Sequence, residues 1–207
     1  MNPHTIESPA ARAALPVYEP FEWDHSWIEQ THREDGKRVL YIGDSISRAI
    51  RQLATAASEQ KLLFDGFATS KALDNPFFQV SLALFGKQLP RIDLILFNNG
   101  LHGWHLDDGA EYPRLYEAMV LFLRREFPGI PLVLALTTSV REPQKNQRVL
   151  KRNDAVRKIA RAYDLPVLDL NVLSAKLSDL HCSDGIHFEQ EGYQKLAAAA
   201  AEFLLSL

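Results

Sequence analysis

Two short stretches, far apart in the chain, carry residue types that can do nucleophilic chemistry together. The first is Gly43-Asp44-Ser45-Ile46-Ser47. It follows an apolar run and opens a segment of helical spacing, so Ser45 is expected at a strand-to-helix turn. The first N–H groups of a helix have no partners within it and carry partial positive charge, so they can stabilise an oxyanion forming beside the serine. Alone, the same residues read equally well as a helix cap, with Asp44, Ser45 or Ser47 accepting from those N–H groups. The second stretch is Ser183-Asp184-Gly185-Ile186-His187-Phe188. Its Asp-x-x-His spacing lets the Asp184 carboxylate approach Nδ1 of His187 within a compact turn, leaving Nε2 free to take a proton from Ser45. Each stretch is weak by itself, but together they supply a nucleophile, a base and an orienter.

Two further stretches hold polar residues directly after apolar runs. Asn98-Asn99-Gly100-Leu101-His102-Gly103-Trp104-His105 follows the middle run. Paired asparagines there are costly if buried without partners, so they should face a crevice or satisfy neighbouring backbone, and their side-chain N–H groups could donate to an oxyanion. His102 and His105 could also share a metal ion, but no third ligand has the spacing, and no metal is expected. Trp104 reads as the wall of an acyl or sugar pocket. In Asp65-Gly66-Phe67, Gly66 permits close backbone approach and could donate a second N–H to the oxyanion, or be a simple turn glycine. Asp44 and Arg141 complete the residues assigned to substrate binding, with Phe67 and Phe188 as further apolar lining or rim.

These residues need a scaffold that brings the ends of several strands together. From Arg38 onward, short apolar runs alternate with segments of helical period: Val39 to Ile42, Leu62 to Phe64, Ile92 to Phe97, Leu132 to Leu136 and Val167 to Leu168. Brief apolar runs bounded by turn chemistry predict buried strands joined by crossover helices. Ile46, Ile50, Leu53 and Ala57 share one helix face, as do Leu115, Met119, Phe122 and Leu123 before Pro128-Gly129. Further helices are expected over 150–163 and 190–205. The prediction is a three-layer α/β/α domain over 37–207 with a five-stranded parallel sheet, whose crevice lies beyond the carboxyl ends of the strands. Residues 1–36, rich in Pro, aromatic and charged residues without periodicity, are read as an N-terminal arm with no catalytic role.

Composition narrows the function. The 207 residues suit one globular domain, and a net charge of -3 with interspersed signs lacks the basic field that nucleic acid binding requires. No apolar run is long enough to span a bilayer, so no membrane partner is expected. The opening MNPHTIESPAARAALP has neither a basic start nor an apolar core, so a cytoplasmic location is expected. The single cysteine, Cys182, cannot form an internal bridge, and no base is placed to activate it. The arm's aromatics would pack on their own domain or, in a homodimer, on a second copy.

The chain resembles the SGNH (GDSL) hydrolases over roughly 38–205. Gly43-Asp44-Ser45 is similar to that family's first block, Gly66 to its second-block glycine, and Asp184 with His187 to its last block. The resemblance implies a flavodoxin-like fold and an acyl-enzyme mechanism without metal or organic cofactor. It makes Ser45 nucleophile and first oxyanion N–H, Gly66 the second donor, and His187 with Asp184 the base and orienter. The third block departs from Gly-x-Asn-Asp: aligning Gly100 with its glycine puts His102 at the oxyanion asparagine. The Asn-x-Gly-x-His pattern is similar to that of the related PC-esterase and polysaccharide O-acetylation proteins, and leaves Asn99 or His102 as third donor, with Asn98 structural. The expected activity is hydrolysis of small acyl esters, acetyl above all, on a small molecule or carbohydrate. The competing readings are a carbohydrate O-acetyltransferase using the same triad and a non-catalytic carbohydrate-binding protein on this fold. A Gly-x-Ser-x-Gly elbow is absent, and the Asp and His share one segment, which disfavours the α/β-hydrolase arrangement.

Overall fold

A computed structural model describes residues 17–107 and 110–207; the first sixteen residues of the arm, including the stretch read for a leader, lie outside the described residues. In chain order the elements are β1 (Asp24–Trp27), β2 (Lys37–Gly43), α1 (Ser45–Ala57), β3 (Leu62–Thr69), α2 (Pro76–Gly86), β4 (Leu94–Phe97), α3 (Glu111–Glu126), β5 (Leu132–Ala135), α4 (Pro143–Ala162), β6 (Val167–Leu168), α5 (Leu170–Ala175) and α6 (Gln190–Leu205). They form a six-stranded sheet in the order β1-β3-β2-β4-β5-β6.

The five expected strands are present and parallel, and both faces of the sheet are covered. In β2, Leu40 and Ile42 join Ile95, Phe97, Tyr116 and Met119 on one side, while Val39 and Tyr41 join Ile50, Phe64, Leu196 and Ala200 on the other. Burial on both faces is why these strands read as continuous apolar runs rather than alternating ones. The chain leaves β2 for β3 on one side and then crosses to β4 on the other, so the crevice opens at the carboxyl end of β2, where the direction of winding reverses. Among the described residues no helix is long and apolar enough to cross a membrane.

A sixth strand, beyond the five expected, comes from the stretch read as the N-terminal arm. Asp24 to Trp27 pair antiparallel with Thr69 to Gly66, so part of that stretch closes the edge of β3. The turn that follows is fixed by a buried ion pair. The Arg38 guanidinium donates to Asp65 at 2.8 and 3.1 Å and to the Glu29 and Gln30 carbonyls, and the Glu29 N–H donates to Asp65. With 2% and 0% of the two side chains exposed, this pair survives burial because nearby donors and acceptors engage it on several sides.

Candidate active site

Ser45 is the first residue of α1, immediately beyond β2. Asp44 caps the helix: its Oδ1 accepts from the Ile46 N–H at 2.9 Å, and the Ser47 hydroxyl donates back to the Asp44 carbonyl at 2.7 Å. The cap thus falls to Asp44 and leaves the Ser45 hydroxyl free. It also removes Asp44 from the substrate-binding set, because the side chain is turned inward and the residue is only 2% exposed.

Asp184 and His187 arrive from the loop before α6. Gly185 adopts φ +69°, a conformation that favours glycine, and a Cβ there would stand 2.9 Å from that of Arg141. Arg141 is exposed, but its main commitments are to this loop. Its N–H donates to the Gly185 carbonyl at 2.7 Å and its Nη2 to the His181 carbonyl at 3.0 Å, so a residue expected to line the pocket is bonded to the loop that carries Asp184 and His187. The Cys182 N–H donates to the His187 carbonyl at 2.8 Å, and Phe188 beside it is buried.

The result is an unbroken relay. Asp184 Oδ1 accepts from the N–H groups of Ile186 and His187, each at 2.9 Å, which orients the carboxylate. Its Oδ2 lies 2.6 Å from His187 Nδ1, and His187 Nε2 lies 2.7 Å from Ser45 Oγ. Partial burial pushes the Asp184 carboxyl up, but the bonds from the His187 ring and the two N–H groups outweigh it and bring it down to about 2. An ionised Asp184 keeps a proton on Nδ1, so Nε2 presents a lone pair to the serine. Burial and the acidic Glu189 and Asp184 raise the Cys182 thiol, against a nucleophilic role.

The third block splits into two functions. Asn98 spends both N–H bonds of its amide on the Ala135 carbonyl (2.8 Å) and Thr137 Oγ1 (3.1 Å), tying β4 to β5. Asn99 instead donates to the Lys71 carbonyl, just after β3, at 3.0 Å. Since β2 lies between β3 and β4, that bond carries the Asn99 amide across the carboxyl end of β2, where Ser45 begins. Gly100 is required by the segment just after β5: a Cβ would sit 1.8 Å from Thr137 Oγ1. His102 faces outward to the N-terminal segment, with Nδ1 3.6 Å from a Glu19 carboxylate oxygen and its ring edge-on to Trp23. His105 pairs with Asp74, so the two histidines turn to different partners. Among the described residues no three His, Cys, Asp or Glu gather as a metal site.

Gly66 is misplaced for an oxyanion donor. It lies inside β3, enclosed between Tyr41 of β2 and Trp27 of β1, and what needs its missing side chain is Arg51, whose Cδ would be 2.7 Å from a Cβ there. The strand continues to Thr69, so the loop reaching the level of Ser45 begins at Ser70. Trp104 lines a cavity of about 410 Å³ with Tyr112, Arg148 and Lys151; neither Ser45 nor His187 borders it. The Trp104 ring lies under the guanidinium groups of Arg148 and Arg152, each 4.5 Å from its centroid. Sequence reasoning missed Arg152 altogether. This buried residue donates to the carbonyls of Gly100, His102 and Gly103.

No family model matches the chain, and no curated protein matches it. Solved structures do. The lipase/acylhydrolase from Enterococcus faecalis superposes with a TM-score of 0.64 at 16% identity, covering 82% of this chain and 96% of that one. A member of the lipolytic protein G-D-S-L family from Veillonella parvula gives 0.63 at 15% identity, covering 83% and 100%. A carbohydrate esterase family 3 structure from Talaromyces cellulolyticus gives 0.61 at 13%, covering 82% and 97%. The chain therefore has the fold of the SGNH (GDSL) hydrolases.

Proposed function

We propose that this chain is a serine esterase that hydrolyses small acyl esters, acetyl above all, carried on a carbohydrate. The observation that carries this reading is the Asp184–His187–Ser45 relay, with contacts of 2.6 and 2.7 Å between residues 142 positions apart in sequence for the longer link. A helix cap needs no histidine at that distance, and a structural histidine needs no free hydroxyl at a helix start. The carbohydrate part is supported by a similar fold in a carbohydrate esterase, and the acyl-ester part by the acylhydrolase and lipolytic proteins that share it.

The geometry supports an acyl-enzyme mechanism. His187 Nε2 takes the Ser45 proton as Oγ attacks the ester carbonyl, and Asp184 stabilises the imidazolium that forms. The unpartnered N–H groups at the start of α1 and the Asn99 amide receive the oxyanion. His187 then protonates the departing alcohol, and water activated by the same ring releases the acid and restores Ser45.

The test is initial rates on aryl esters from acetyl to octanoyl for wild type and Ser45→Ala, with intact-mass analysis after a serine-directed phosphonate. Turnover of short esters, one phosphonate on Ser45 and an inert Ser45→Ala protein are expected. Folded wild-type protein that neither turns over nor labels would remove the hydrolase reading. Ester formation on an added sugar in preference to hydrolysis would replace it by acyl transfer.

A further inference from the structure

Two of the loops at the carboxyl end of the sheet, those after β3 and β4, are held from outside by residues 19–23, part of the stretch read as an arm with no catalytic role. The Trp23 N–H donates to Ser70 Oγ at 2.8 Å, the Ser70 N–H donates to the Trp23 carbonyl at 3.1 Å, and the Ser70 hydroxyl donates to Glu22 at 3.0 Å. Those bonds fix the loop after β3. The loop after β4 is fixed by Glu19, whose Oε1 accepts from the Gly103 N–H at 2.8 Å and also faces His102 Nδ1.

The same loop is gripped from inside. Arg152, 3% exposed, donates to Gly100 O at 3.1 Å and to His102 O and Gly103 O at 2.6 Å each, while Asp107 holds its other edge. Gly103 sits at φ +67°, and a Cβ there would be 2.6 Å from that of Ala72 in the loop after β3. Gly103 is thus bonded through its N–H to Glu19 and through its carbonyl to Arg152, and packed against the neighbouring loop. Without these bonds the chain from Gly100 to Gly103 has no strand or helix to order it.

We propose that Glu19 is a positioning residue of the active site, which acts with Arg152 to hold the Gly100–Gly103 loop so that the Asn99 amide stays in place across the carboxyl end of β2. This rests on the esterase reading, in which Asn99 donates to the oxyanion. A donor aimed at charge that develops only in the transition state contributes through its preorganisation, so loosening it lowers kcat and leaves substrate binding nearly unchanged. Glu19 itself touches no substrate in this scheme.

Arg152 is too deeply buried for its variants to separate positioning from folding, so the test falls on Glu19. Three proteins are compared: wild type, Glu19→Ala and Glu19→Gln, whose amide oxygen can still accept from Gly103. Loss of one hydrogen bond of ordinary strength should lower kcat of Glu19→Ala about fivefold to tenfold with KM within about twofold. Glu19→Gln should recover most of that loss. Amide hydrogen exchange at Gly103 should quicken in Glu19→Ala and not in Glu19→Gln. An unchanged Gly103 exchange rate in Glu19→Ala, an unchanged kcat, or a loss confined to KM would each overturn the proposal. If wild type proves inert toward esters and phosphonate, the esterase reading falls by itself, and with it the effect of Glu19 on catalysis. The exchange comparison then still decides whether Glu19 holds the loop.

Discussion

The Asn99 side chain spans two strands that are not neighbours: it leaves the end of β4 and bonds the Lys71 carbonyl beyond β3, 3.0 Å away, crossing the end of β2 that lies between. Its sequence neighbour Asn98 turns the other way and ties β4 to β5. The two asparagines should therefore fail differently. Asn99→Ala is expected to lower kcat on a short aryl ester by about 10²–10³ with a small change in KM, as for loss of an oxyanion donor. Asn98→Ala should instead lower stability by about 1–3 kcal/mol by orphaning buried acceptors, with kcat of the folded fraction preserved. Kinetics and urea denaturation of both variants check this, and equal kinetic losses would contradict the division.

In the proposed mechanism Ser45 and His187 act through one shared proton, so their effects should not add. Ser45→Ala and His187→Ala are each expected to lose nearly all turnover, on the order of 10⁴-fold or more, and the double variant should be scarcely worse than either. A double variant slower by the product of the two single losses would mean that the two groups work independently.

Asp184 gives a prediction with a sign. Its folded-state carboxyl lies at about 2, below the ordinary value of 3.8. A depressed carboxyl contributes stability that is present above its unfolded value and is lost as pH falls through the folded one. The stability gap between wild type and Asp184→Asn should thus close on acidification between about pH 4 and 2, measured by thermal melts across that range. The gap itself should be small, since the side chain is half exposed and solvent screens it. At neutral pH the same variant should lose about 10²–10⁴ in kcat, because an amide no longer selects the Nδ1–H tautomer of His187.

The Arg38–Asp65 pair should control stability and not chemistry. Asp65→Ala leaves a buried guanidinium unpaired and is expected to cost about 3–5 kcal/mol. The joint change Arg38→Met with Asp65→Leu should recover much of that loss, since no charge then remains buried. Urea midpoints of the single and double variants provide the measurement. A single variant unfolding at the wild-type midpoint would show that the pair is dispensable.

How far the sequence could be read follows from what each residue does. The parallel strands were legible because Val39 to Ile42 or Leu132 to Ala135 are buried on both faces, and Ser45, Asp184 and His187 because their types and spacing carry the relay directly. The end of β3 was not legible. Asp65 and Gly66 look like turn residues, yet Arg38 neutralises the first and Arg51 fills the space over the second, so the strand runs on to Thr69. That is why Gly66 was given to the oxyanion. Helix α2 gave no stripe to read, since Phe77, Val80 and Leu84 face solvent while Phe78, Leu82 and Phe85 are buried. Strand β1 carries little apolar signal in Asp-His-Ser-Trp and is held by backbone pairing, which leaves no trace in residue type. Glu19 and Arg152 escaped because a carboxylate in a loop or a guanidinium on a helix resembles solvated surface until its acceptors and donors are known.

The placement of the base has a consequence during synthesis. Every strand of the sheet, and the Ser45 turn with it, precedes Asp184 in the chain. As a ribosome extrudes the polypeptide, Ser45 and all the strands leave the exit tunnel before His187, but α6, which covers one face of the sheet, follows it. The nascent chain would therefore close that face and complete the Ser45–His187 contact in the same late step.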